Sequence, residues 1–105
     1  MKAADIDDAA FLDIVRRYNE GDDETPAMTA IRERNGYPDR GRWAFVWDVA
    51  EALDVPGKVA EAKGAKLIKR GLMTGCDAKH WCRGDYELTA VGYAFLEASG
   101  GSVGE

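Results

Sequence analysis

Between Met73 and Thr89 the chain reads MTGCDAKHWCRGDYELT, a stretch that holds both cysteines and the only histidine. Cys76, His80 and Cys82 are donors that zinc accepts, and Asp77, a weaker donor, is the candidate for a fourth. Their spacing speaks against that chemistry. Structural zinc sites use close-spaced ligand pairs and four strong donors, and C-x3-H-x-C offers three. A Cys76–Cys82 disulfide would suit a hairpin but not a reducing cytosol. Lys79, His80 and Arg83 could depress a thiol pKa, yet nothing else resembles a redox enzyme. The plain reading is two thiols and a solvated histidine, with no metal and no cofactor. The tripeptide Arg83-Gly84-Asp85, which matches an integrin ligand, is read as a chance match. No Ser-His-Asp arrangement, phosphate-cradling glycine loop or acid pair appears, so the chain is not expected to be an enzyme.

The charges are more informative. The 105 residues carry a net charge of −5, which opposes simple attraction of the whole chain to nucleic acid. Their distribution is uneven: residues 1–25 carry −5, residues 26–56 carry −1, residues 57–83 carry +5 and residues 84–105 carry −4. One contiguous basic segment therefore lies inside an acidic chain. The first residues carry acids where a signal peptide needs an apolar run, and no apolar stretch is long enough to span a bilayer. A cytoplasmic protein with no membrane contact is expected. Its length fits one domain, residues 1–98, followed by a glycine-rich flexible tail, residues 99–105.

Period-four spacing of Ile6, Ala10, Ile14 and Tyr18, widened by Phe11 and Val15, predicts a first helix of about 15 residues. Asp5, Asp7 and Asp8 suit its positive end, and Arg16 and Arg17 its other end. Thr25 and Pro26 open a short second helix with Met28, Ile31 and the Ala27/Ala30 pair on its apolar side. Trp43 to Val46 reads as a short strand, and Asp48 as the cap of a helix carrying Val49, Ala52 and Leu53, which DVPG stops. A further helix is expected from about Gly57 to Arg70, with Val59, Ala62/Lys63 and Leu67 turned inward. Gly64 inside it costs roughly 1 kcal/mol against alanine, which implies a close approach by another element. Beyond Gly71 the period becomes two, predicting strands from Leu72 to Cys76 and from Cys82 to Leu88. Pairing Cys76 with Cys82 sets Thr74 opposite Gly84 and Leu72 opposite Tyr86, with Leu72 and Leu88 on the buried side. Thr89 then caps a last helix with Val91, Ala94, Phe95 and Ala98 on one side.

This order of elements is that of a winged helix, an α+β and mainly helical fold with a two-stranded β-hairpin wing. Two motifs strengthen it. DVAEALDVPGKVAEAKGAKLIKRGLM resembles the helix-turn-helix of bacterial winged-helix regulators, with Ala50, Leu53 and Val55 matching A-x-x-L-x-V, and Leu67, Gly71 and Leu72 matching L-x-x-x-G-L. ELTAVG, from Glu87 to Gly92, resembles the L-T-x-x-G that closes the wing in MarR- and PadR-type proteins. The resemblance covers roughly residues 46–98, with the helix-turn-helix at about 46–70 and the wing at about 72–89; residues 1–42 fall outside it.

The resemblance implies double-stranded DNA as the partner, with the second motif helix in the major groove and the wing on the backbone or minor groove. Lys58, Lys63, Lys66, Lys69 and Arg70 then belong to that helix or its ends, and Lys79, His80 and Arg83 to the wing. The basic segment coincides with the part that would face DNA. Lysines suit phosphates, and Arg83 suits a minor groove. The exposed face of that helix offers Lys58, Glu61, Lys63 and little else, and base reading wants Arg, Asn or Gln there, so sequence readout by one copy is modest. Trp43, Phe45 and Trp47 are expected in the core, and Trp81 at the wing tip beside a partner. Arg32, Arg34, Arg40 and Arg42 could meet phosphates or pair with nearby acids. A small transcriptional regulator is the leading expectation, and a winged helix serving protein contacts the alternative. A homodimer through the first helix would double a modest readout; the same apolar face would otherwise pack on its own domain.

Overall fold

The computed structural model describes residues 1–21, 23–35, 44–75 and 85–99. Among these residues, five α-helices and a two-stranded antiparallel sheet make a mainly helical α+β arrangement. After a single 3-10 turn at Ala3–Asp5 comes α1 (Asp8–Glu20), then α2 (Pro26–Arg34), α3 (Val46–Leu53) and α4 (Gly57–Lys69). Strands β1 (Met73–Thr74) and β2 (Glu87–Leu88) precede α5 (Ala90–Ala98). No described helix is long and apolar enough to cross a membrane.

The Asp7 carboxylate caps α1 by accepting from the Ala10 N–H at 3.0 Å, and Gly21, at φ 79°, closes it in the left-handed conformation. Its packed face is Phe11, Leu12, Val15 and Tyr18, all at most 2% exposed, while Ala10 and Ile14 are only half-buried. The inward side is thus rotated from the expected Ile6–Ala10–Ile14–Tyr18 line. The rotation has a cause: α1 is wedged against α3, β2 and α5 together, so the packed side is broad. That same wedge removes the face proposed for a homodimer, because the large apolar side chains of α1 are already inside their own fold.

The start of α2 follows the residues: Thr25 Oγ1 accepts from the Met28 N–H at 3.1 Å, with Pro26 in the first turn. Met28 is buried and its carbonyl accepts from the Tyr18 hydroxyl at 3.0 Å, whereas Ala27 and Ala30 face solvent, contrary to the expected apolar pair. The strand expected at Trp43–Val46 is reduced, among the described residues, to Ala44, which exchanges both backbone hydrogen bonds with Tyr86 at 3.0 and 2.7 Å. Helix α3 already begins at Val46. Asp48 therefore lies within its first turn and is not the cap; Phe45 is. The Asp48 side chain is fully buried and accepts from Asn35 Nδ2 at 2.8 Å, which ties the end of α2 to α3.

Three residues, Asp54, Val55 and Pro56, separate α3 from α4, and Asp54 adopts the left-handed conformation at φ 57°. In α4 the buried residues are Ala60, Lys63, Gly64 and Leu67; Lys63 and Leu67 keep to the expected inward stripe, while Val59 is half-buried and Ala62 exposed. Gly64 sets that orientation. A Cβ there would lie 2.2 Å from Tyr86 Oη, so the phenol of Tyr86, just before β2, fills the place of a side chain. This is the close approach that the glycine implied.

The sheet pairs Met73 with Leu88 and Thr74 with Glu87, a register shifted by three residues from the expected Leu72–Tyr86 pairing. Tyr86 is bonded to Ala44 instead. Leu72 and Leu88 are buried as expected, but Met73 is buried too and Thr74 exposed, so the alternation predicted for the first strand does not hold. Asn19 explains part of the pairing. From α1 its Nδ2 donates to the Tyr86 carbonyl at 3.0 Å, and its Oδ1 accepts from the Leu88 N–H at 2.9 Å. One side-chain amide thus supplies the donor and the acceptor of a neighbouring strand. The expected Cys76–Cys82 pairing lies outside the described residues.

Thr89 caps α5 through the Gly92 N–H at 3.1 Å, and its hydroxyl donates to the Gly71 carbonyl at 2.7 Å. A Cβ on Gly92 would lie 2.0 Å from the Leu72 carbonyl oxygen. Gly92 and Leu96 therefore face inward, with Phe95 half-buried beside them. Val91, Ala94 and Ala98, expected on the packed side, are exposed.

Candidate nucleic-acid interface

Burial divides α4 into two unlike sides. Ala60, Lys63, Gly64 and Leu67 face the core; opposite them Lys58, Ala62, Lys66 and Lys69 are exposed. At a rise of ~1.5 Å per residue, Lys58 and Lys69 stand about 16 Å apart along the helix. Lys63 is not part of this surface. Its side chain is 8% exposed and its Nζ is bound to the Asp8 carboxylate at the start of α1. It was expected among the cations facing DNA. Burial at this position requires a paired charge, and Asp8 supplies it.

Arg70, just past the helix, also reaches Asp8, with Nη1 at 2.7 Å from Oδ2, though half of its side chain remains exposed. Burial alone would raise the pKa of Asp8. Hydrogen bonds and attraction from Arg70 and Lys63 outweigh it and hold the carboxyl below the ordinary carboxylate range. The pairing joins the N-terminus of α1 to the C-terminal half of α4 and partly neutralises one cation.

The other helical cations are mostly engaged. Arg16 pairs with Asp13 at 2.8 Å, Glu20 at 2.9 Å and Asp23 at 3.3 Å, and Arg17 with Asp13 at 2.9 Å. Burial would lower the pKa of Arg16, but the Asp13 hydrogen bond, with the remaining acids, raises it. Arg32 pairs with Glu24 at 3.1 Å, and Arg34 with Glu51. Of the two roles open to Arg32 and Arg34, the structure shows pairing with acids. Lys58, Lys66 and Lys69 make no ion pair with any described carboxylate, and they share one side of one helix. Among the described residues, positive charge available to a polyanion is therefore concentrated there.

Trp47 departs from its expected place in the core. It lies in the first turn of α3, 41% exposed, between the buried Val46 and Asp48, while Phe45 is buried as anticipated. Its ring covers the first residue of α4: a Cβ on Gly57 would sit 2.0 Å from Cζ3 and 2.6 Å from Cε3. The only advance signal was Gly57 itself, a glycine at a helix start where a side chain would meet that ring. Lys79, His80 and Arg83, with Trp81, Trp43, Arg40, Arg42 and the candidate metal ligands Cys76, Asp77 and Cys82, lie outside the described residues.

No protein-family model, curated protein or solved structure matches the chain.

Proposed function

We propose that the chain is a winged helix that binds double-stranded DNA, with α3, the Asp54–Pro56 turn and α4 as its helix-turn-helix. The observation carrying this reading is the exposed side of α4, where Lys58, Lys66 and Lys69 stand without carboxylate partners among the described residues. Two helices joined by a three- or four-residue turn suit such a motif, and the second enters the major groove. Lysines contact phosphates as compact charges. With alanine at position 62 between them, the surface supplies affinity more than base discrimination. A small transcriptional regulator fits this balance. The β1–β2 connection follows α4 directly, as a wing would.

Charge reversal tests the reading. In fluorescence anisotropy at low salt with a mixed-sequence duplex, Lys66→Glu/Lys69→Glu weakens binding steeply, and Arg32→Glu, on a different helix, leaves it within a few-fold. Equal affinity in wild type and the double variant would overturn it. A protein-contact module is the second reading, favoured by the exposed Val91 and Tyr93 on α5 and by the net charge of −5.

A further inference from the structure

The ring of Trp47 meets Gly57 through its benzo edge, the side bearing Cε3 and Cζ3. The pyrrole Nε1–H is on the opposite edge of an indole, so it points away from α4. It donates to no acceptor among the described residues, and the side chain is 41% exposed. Such a side chain is fixed on one edge and carries a free donor on the other. Rigid aromatic groups of this kind are favoured at interfaces because little conformational entropy is lost when they bind. Its position adds a second argument. In a helix-turn-helix the first helix crosses the DNA backbone while the N-terminal residues of the second approach the base edges. Trp47 is in the first turn of that first helix and lies on the first residue of the second.

We infer that Trp47 is a non-ionic contact to the DNA sugar–phosphate backbone, with Nε1–H donating to a phosphate oxygen and the exposed ring face packed on deoxyribose. This rests on the DNA-binding reading and adds to it a contact that charge alone would not reveal. The lysines of α4 bring the duplex in and release counterions; the indole fixes where the backbone lies against the corner between α3 and α4. Phosphate contacts of this kind set register and orientation, not sequence.

The test is an anisotropy titration of a mixed-sequence duplex across a salt series with wild type, Trp47→Phe, Trp47→Ala and Lys66→Glu/Lys69→Glu. Trp47→Phe keeps a ring over Gly57 and removes the donor, and its thermal melt by circular dichroism shows whether the fold is kept. Losing a hydrogen bond to a charged acceptor weakens binding roughly tenfold. Because a neutral group releases no counterion, the slope of log K against log salt stays at the wild-type value in both Trp47 variants and flattens only in the lysine variant. Wild-type affinity in a folded Trp47→Phe protein would overturn the inference and leave the DNA reading standing. A slope changed as much as by the lysine pair would also overturn it. If wild type binds no DNA at low salt, the reading itself falls, and the role of Trp47 with it.

Discussion

Two polar side chains of α1 take roles that their residue types do not announce. Asn19 is buried on α1, where its amide serves the backbone of β2. Asn19→Leu takes its side-chain acceptor from the buried Leu88 N–H, while the Tyr86 carbonyl keeps the Ala44 N–H, so a urea melt should show a loss of about 1–3 kcal/mol. Asp8 joins Lys63 and Arg70 across the fold, and its lowered pKa gives the pH dependence a sign. The folded state holds the proton less tightly than the unfolded state, so the contribution is full above the unfolded carboxylate pKa. It is lost as pH falls through the depressed folded value. Asp8→Asn should therefore destabilise at neutral pH and flatten the acid limb of a stability–pH profile; an unchanged limb would refute the assignment. Neither partner was legible beforehand. Asp8 looked like a helix-dipole acid and Lys63 like a surface lysine, since a contact 55 positions away leaves no local trace.

At the scale of elements, local signals located most helix ends. Thr25-Pro26 and Thr89 each contain their own reason for starting a helix, and each stands where that reason places it. Rotation about the helix axis was less legible. Val91, Ala94 and Ala98 share a side by spacing, yet α5 turns Gly92 inward because only a glycine fits against the Leu72 carbonyl. The strand register failed for a related reason: Tyr86 reaches Ala44 and overlies Gly64, pairings set by tertiary contact and not by alternation. The turn between α3 and α4 offers a clean test. Asp54 tolerates the left-handed region better than most side chains, so Asp54→Gly should be accepted while Asp54→Ala costs about 1 kcal/mol in chemical denaturation. Thr89→Ala removes both the α5 cap and the bond to Gly71, and should cost roughly 1–2 kcal/mol by the same measurement.

Across the whole molecule, acidic and basic side chains are sorted. Arginines on α1 and α2 are held by neighbouring acids, so the net charge of −5 does not describe what each surface offers a partner. The excess of positive charge between residues 57 and 83 was visible in the sequence, and the structure gathers three of its lysines on one side of α4. What the sequence could not show was which charges are already paired: Lys63 leaves the surface, and Trp47 joins it. The central claim is that this side of α4 meets DNA. Titrating isotopically labelled protein with a mixed-sequence duplex and following its amide and indole NMR signals addresses that claim most directly. The account predicts shifts concentrated from Lys58 to Lys69 and at the Trp47 indole, with Val91 to Ala98 unmoved. Shifts confined to α5, or none at low salt, would contradict it.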